Sequence, residues 1–477
     1  MHFRNYIFLL ILLIFNLLIP FKSLGNHGDT VPKSAIYLSQ YIQIQSVTGF
    51  EKEAGIYFSQ LASEKGLHVQ VFTEEIDSYN FAASLYPLSC GKPNVVFLTH
   101  IDVVDAQEEH LNKYPPFSGI IAENCVWGRG SIDNKGMGIM QLMAISKYVE
   151  LAKISDLPYN ITLLAVSSEE IGGIKGAKII SEHFLDQLNP VVVYGEGGSG
   201  FDGLFSKEPQ KHVYGISVAA KRYLWLELSL NVKVSGHGSV PPLNYSTQEL
   251  INALARILNI NKYRPLQYSD PAIRMFKEVG HIEKGVRGMA YRNIKFFSPL
   301  VSAKLRDNNM IYSVLSNTIT ITSLFTTLGA PNVIPSQTKA ILDCRLLPGV
   351  ETDEFIHKIR KWLMNDSIKI KIIGESISAL STVPENFFYK MKIALQKEYQ
   401  DSEVISLIFP ASNDNNYFRA KGIPTYGILP IFMTQEMMGS IHNVNEKIPI
   451  ESLESGIRVY DHLIQEILFE PVIKVEE

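Results

Sequence analysis

"NVVFLTHID", residues 94–102, carries a run of strand-forming apolar residues that stops at Thr99-His100-Ile101-Asp102. A strand with one wet face alternates apolar and polar side chains, and this one does not. Both its faces are expected to be covered, as in a parallel sheet flanked by helices. Three further runs behave alike. "NITLLAV" (160–166) stops at Ser167-Ser168-Glu169-Glu170, and "PVVVYG" (190–195) stops at Glu196-Gly197-Gly198. "PTYGILPIF" (424–432) leads through a short loop to Ile441-His442-Asn443. Helical patterns over 135–151 and 177–188 separate the strands. The alternation predicts an α/β domain with a mostly parallel sheet, in which ligands sit beyond the carboxyl ends of the strands. Acids and histidines gather at that edge.

From about residue 219 the pattern changes. "RYLWLELSLNVKV" (222–234) alternates as a half-exposed strand, a helix is expected over 247–258, and a long polar stretch follows to about residue 316. Strand-like "TITITSLF" and "TKAILDCRL", a helix over 353–364 and "IKIKII" come next. This βαββαβ order reads as an α+β unit with an antiparallel sheet, inserted as a lid or dimerisation domain. A helix over 385–399 and the strand from 424 return to the first pattern. The expected division is therefore 30–217 and 377–477 for the main domain, with 218–376 inserted.

The remaining bulk features narrow the function classes. The chain has 477 residues, 46% hydrophobic and 19% charged, with a net charge of −4. No overall basic balance invites nucleic acid. The opening "MHFRNYIFLLILLIFNLLIPFKSLGN" has a basic start, an apolar core from Tyr6 to Phe21, and small residues at Ser23 and Gly25. That is the layout of a signal peptide over residues 1–25, which implies a secreted or periplasmic protein. A retained membrane anchor is the alternative, although the run is shorter than the roughly 20 residues of a span. Three cysteines (Cys90, Cys125, Cys344) allow at most one disulfide and are read as small buried apolar residues.

At the strand ends stand His100, Asp102, Asp133, Glu169, Glu170, Glu196 and His442. Histidine with carboxylates is ligand chemistry that zinc accepts, and two zinc ions can share one bridging carboxylate. His100-x-Asp102 lets a carboxylate hold the far ring nitrogen. Adjacent Glu169 and Glu170 point apart on an extended backbone, so one can ligate while the other serves as general base. "CVWGRGSIDNKGMG" (125–138) sets Asp133 among four glycines, more than a plain turn needs.

The segments "LTHIDVV", "WGRGSIDNKG", "SSEEIGG", "GEGG", "SGHGSVPP" and "GSIHNVNEKI", in this order, resemble the dinuclear-zinc aminoacylase and carboxypeptidase family of metallopeptidases. "NVIPSQTKAILDCRLLPG" and "IHNVNEKIPI" are most similar to the branch of vacuolar carboxypeptidase S and the N-fatty-acyl amino acid hydrolase/synthases. The resemblance implies two zinc ions per chain, with Asp133 bridging them. His100 and Glu196 would complete one site, and Glu170 and His442 the other. Glu169 would be the base and Asp102 the residue that orients His100. Where the family usually has a second Asp, this chain has Asn134, which implies changed surroundings for the ligands rather than lost metal. In the inserted domain, His237 matches a histidine that stabilises the oxyanion, commonly in the partner subunit's site. Asn332 and Arg345 match positions that hold the substrate's free carboxylate. "IIGESISALSTVP" lacks the further arginine of glutamate-selective members.

The expected activity is hydrolysis of an amide bond next to a free carboxylate, in N-acyl amino acids or small peptides. Two other readings stay open: a non-catalytic binding ectodomain on a peptidase fold, and a related aminopeptidase. A homodimer is expected if "RYLWLELSLNVKV" supplies an edge strand for pairing; a lid closing on its own chain is the alternative.

Overall fold

The computed structural model describes residues 31–106, 109–202, 212–232, 236–327 and 329–473. The expected signal peptide lies outside them. All elements named below belong to the unit formed by residues 34–477.

After helices Lys33–Gln43 and Lys52–Glu64 come strands β1 (His68–Glu75), β2 (Ser78–Ser84) and β3 (Asn94–His100), followed by a small ribbon of β4 (Ile121–Ala122) and β5 (Cys125–Trp127). Next come β6 (Asn160–Val166), β7 (Pro190–Phe201) and β8 (Val213–Ala220). The inserted part holds β9 (Arg222–Asn231), β10 (Thr318–Thr326), β11 (Gln337–Leu346) and β12 (Lys369–Glu375). The chain then returns through β13 (Glu403–Phe409), β14 (Thr425–Phe432) and β15 (Lys447–Pro449), the last joining the small ribbon.

The main sheet has the order β1-β2-β6-β3-β7-β14-β8-β13. Its centre, β6-β3-β7-β14, is parallel throughout. Successive residues of β3 explain the unbroken apolar run. Val95 and Phe97 enter a core with the Lys52–Glu64, Lys135–Ser146, Asn386–Glu398 and Ile450–Phe469 helices. Val96 and Leu98 enter the opposite core, with Ala177 and Ile180 of one helix and Phe418 of another. Both faces are dry, so neither can carry polar side chains. The polar residues are consequently displaced to the strand ends.

In the insert, the sheet order is β10-β11-β9-β12 and every pairing is antiparallel. Leu224, Leu226, Leu228 and Leu230 bury one face of β9 against the Ser246–Tyr263 and Thr352–Leu363 helices. Tyr223 and Trp225 point the other way. The expected edge role of "RYLWLELSLNVKV" is not met: β9 lies between β11 and β12, and β10 and β12 form the edges. The expected polar stretch before residue 316 is also corrected. It folds as helices Asp270–Ile282, Gly285–Arg292, Ile294–Arg306 and Asn309–Val314. Met275, Phe276, Val279, Ile311 and Val314 from this segment pack with Ile405 and Ile408 of β13, so the helices cover an edge strand of the main sheet. Among the cysteines only Cys344 is buried; Cys125 is half-buried and Cys90 exposed.

Candidate metal centre and active site

The carboxyl-terminal edge of four parallel strands, with the loops that follow them, brings the candidate ligands to one place. β3 ends at His100, whose Nε2 lies 3.0 Å from Asp133 Oδ1 and 3.4 Å from Glu196 Oε2. His442, in the loop after β14, places Nε2 3.1 Å from Asp133 Oδ2 and 3.1 Å from Glu170 Oε2. Two three-residue groups result, His100-Asp133-Glu196 and Asp133-Glu170-His442, and each brings its ligand atoms within 4.8 Å of one another. Asp133 belongs to both, one carboxylate oxygen turned to each.

Glu196 reaches the site from inside a strand, because β7 continues to Phe201 rather than stopping at Gly195. Pairing with β14 slips there: Gly195 faces Gly427, and Gly198 faces Ile428. Two residues are thus set against none, a bulge that re-aims the side chains between them. Asn134 Nδ2 donates to Glu196 Oε2 at 2.9 Å. An ionised aspartate at that position could not make this bond.

The Asp102 carboxylate lies 3.5 Å from His100 Nδ1, and the backbone oxygen of the same residue is closer, at 2.9 Å. Its carboxylate oxygens chiefly accept the N–H groups of Glu169 and Glu170, at 3.0 and 3.1 Å, and the Thr48 hydroxyl at 2.9 Å. Asp102 thereby ties the Glu169-Glu170 turn to the end of β3.

Electrostatics inside the cluster is dominated by crowded acids. Burial, reinforced by Glu196, holds the Glu169 carboxyl well above its ordinary range. Burial likewise pushes Glu170 up to about 7. Burial opposes ionisation of Asp133, yet hydrogen bonds from His100 and His442 outweigh it and hold Asp133 below the usual carboxylate range. Bonds to Asp133 and Glu170 lift His442 to about 10. Glu170 Oε1 is buried without a hydrogen-bond partner. An imidazole and carboxylate donor set with an orphaned buried oxygen fits a divalent cation, which would neutralise the crowded charge.

A cavity of about 570 Å³ opens beside the cluster. Glu169 lines it, as do Tyr223, Trp225 and Arg345 from the inserted sheet. Arg345 Nε and Nη2 donate to Asp343 at 2.8 and 3.0 Å, which engages two of its five N–H donors. His237 and Asn332 do not line this cavity. They meet each other, 2.9 Å apart, on an exposed part of the insert, beside the exposed Val240 and Val333.

Sequence reasoning missed residues 412–418, "SNDNNYF". Asn413 Nδ2 and Asn415 Nδ2 donate to the Glu196 backbone oxygen at 3.1 and 2.7 Å, and buried Asp414 lines the cavity. The signal was available, since β13 too runs apolar and then ends in polar residues.

Peptidase family M20/M25/M40 matches residues 96–466. The N-fatty-acyl-amino acid synthase/hydrolase PM20D1 of Bos taurus is 28% identical over 378 residues, covering 78% of this chain and 73% of its own. Probable carboxypeptidase S-like 2 of Dictyostelium discoideum is 25% identical over 386 residues, covering 78% and 71%. For the fold, an M20 family metallo-carboxypeptidase, Sso-CP2 of Sulfolobus solfataricus, superposes with a TM-score of 0.69 at 17% identity over 91% of this chain and 99% of that one. Human carnosine dipeptidase 1 gives 0.66 at 15% identity over 91% and 96%. A match from β3 to the final helix, over an edge that assembles a ligand cluster, places this chain in peptidase family M20/M25/M40, among metal-dependent hydrolases of amide bonds in small molecules and peptides.

Proposed function

We propose that this chain is a secreted hydrolase with two zinc ions that cleaves N-acyl amino acids, preferably with long acyl groups, next to a free carboxylate. The observation that carries the reading is the pair of ligand groups sharing Asp133, with Glu169 beside them in the cavity. His100 and Glu196 would hold one ion, Glu170 and His442 the other. The ions, when bound, supply a Lewis acid for the amide carbonyl and lower the pKa of water. Glu169 takes a proton from the attacking water and passes it to the leaving amine nitrogen. Arg345 uses its remaining N–H donors for the substrate carboxylate, and Asn332 and His237 reach a site from the partner in a homodimer. Phe201, Met275, Ile311, Val314, Leu407 and Ile408 give the cavity an apolar wall for the acyl chain. In this reading residues 30–217 and 377–477 form the catalytic domain, 218–376 the lid, and residues 1–25 direct export.

Purified chain loaded with zinc is to be assayed on long-chain N-acyl amino acids, N-acetyl amino acids and dipeptides, each as free acid and as amide. Free long-chain N-acyl acids should be cleaved best, and equal rates on acids and amides would refute the carboxylate contact. Glu169→Gln should retain metal and lose at least about a hundredfold in turnover, the usual size of a general-base effect.

A further inference from the structure

The helices between residues 270 and 314 have an outer side that packing among the described residues does not explain. On the Ile294–Arg306 helix the exposed positions are Lys295, Phe296, Pro299, Leu300, Ala303 and Lys304, a single stripe at helical spacing. A solvent-facing stripe is ordinarily polar. Here Phe296 and Leu300 each stand 80% exposed at its centre. The neighbouring Gly285–Arg292 helix adds Val286, 78% exposed, and Met289.

Between Glu283 and the exposed Asp307, which bound this segment, charge has one sign. Residues 284–306 contain six Lys and Arg and no Asp or Glu, in a chain of net charge −4. Arg292 and Arg306 turn to backbone oxygens of Gly280 and Lys262, and Arg287 lies 3.6 Å from Glu283. Lys284, Lys295 and Lys304 are exposed and have no ion-pair partner among the described residues.

We propose that this face docks on an anionic phospholipid surface, with Phe296 and Leu300 among the acyl chains and the three lysines at the headgroups. Apolar side chains ringed by cations are what an interfacial helix presents to such a surface. A second copy of the chain fits poorly, because a two-fold contact of this face would set lysine against lysine. Nucleic acid fits poorly too, since the centre of the stripe is aliphatic and phenyl rather than cationic. No described helix is long and apolar enough to cross a membrane, so the contact is peripheral. The same segment also walls the cavity. The Ile294–Arg306 helix packs on Asn309–Val314, whose Met310, Ile311 and Val314 line it, which sets a lipid surface beside the route of an amphiphilic substrate. Docking itself does not depend on the proposed hydrolysis.

The test is co-sedimentation of the full purified chain with vesicles of phosphatidylcholine alone or with one third phosphatidylserine. Wild type should bind the anionic vesicles, and bind them less at high salt. Since each juxtamembrane lysine contributes about fivefold, Lys284→Glu/Lys295→Glu/Lys304→Glu should weaken binding by at least about tenfold. Phe296→Ser/Leu300→Ser should do the same at unchanged salt dependence, with the thermal midpoints of both variants reporting intact folding. Glu169→Gln should bind as wild type, which separates docking from catalysis. The proposal is overturned by equal binding of wild type and both variants, or by no binding of wild type. It is overturned equally if the serine variant changes only the oligomeric state in light scattering.

Discussion

Glu446 lies 313 residues after Asp133, yet its Oε1 accepts the Asp133 N–H at 3.2 Å, together with those of Gly130 and Ile132 at 3.0 and 2.9 Å. Its Oε2 meets Arg129 Nη1 at 2.7 Å, and both side chains are buried. The glycines around Asp133 follow from this arrangement. Gly130 has φ +87, and a Cβ on Gly136 would fall 2.1 Å from the Ser131 oxygen. A backbone wrapped around one carboxylate from the far end of the chain leaves no room for side chains. Removing one member of a buried ion pair strands the other charge, so Glu446→Ala should cost about 3–5 kcal/mol in urea unfolding. A loss within the range of surface substitutions would mean that Arg129 finds another partner. At this scale the ligand candidates were legible, because dry strands force polar residues to their ends. Glu446 was not, since nothing local in "NVNEKI" says which backbone it will cap.

Lys221 joins β8 to β9 and is wholly buried. Its Nζ donates to the oxygens of Ser313 and Ser316 at 2.8 and 2.9 Å and to Thr318 Oγ1 at 3.2 Å. One side chain thus pins the end of the helical segment to the junction of the two sheets. Burial, with Arg345 nearby, pushes its ammonium down to about 7. The unfolded chain keeps that proton up to about 10.4, so between those values the unfolded state binds more protons and stability rises with pH. Lys221→Met should flatten that rise, read as the difference between urea midpoints at pH 7 and pH 9. An unchanged difference would show that Lys221 does not carry it. Elements differ in legibility for a related reason. "LWLELSL" declares its strand by alternation, whereas the helices over 270–314 are short, carry Gly280, Gly285, Gly288 and Pro299, and are stabilised by packing on β13. That partner lies about a hundred residues further on, where no window of periodicity reaches. The place of β9 inside its sheet was hidden likewise, because alternation reports a half-buried strand and not its neighbours.

Across the whole molecule, the insert presents two surfaces with different fates. Tyr223, Trp225 and Arg345 face the cavity of their own chain. His237 and Asn332 lie outside its lining, exposed and in contact with each other, with Val240 and Val333 as backbone neighbours of His237. If His237 polarises the substrate carbonyl, as proposed, it has no such work at an exposed position, whereas a two-fold contact of this surface would carry each His237 towards the other chain. Since β9 is internal, such a contact would use the exposed apolar loop or an edge strand, β10 or β12, instead. Mixing two inactive proteins distinguishes this from a lid that closes on its own chain. His237→Ala keeps Glu169, and Glu169→Gln keeps His237. In crossed sites one site of every mixed dimer holds both residues. Random exchange makes half the dimers mixed, so activity should return to about a quarter of wild type. If His237 serves its own chain, every site in the mixture lacks one residue and the activity stays at the sum of the two parents. The measurement requires subunit exchange, verified by mass labelling of one parent, and recovery at the parental sum after full exchange would assign His237 to its own chain.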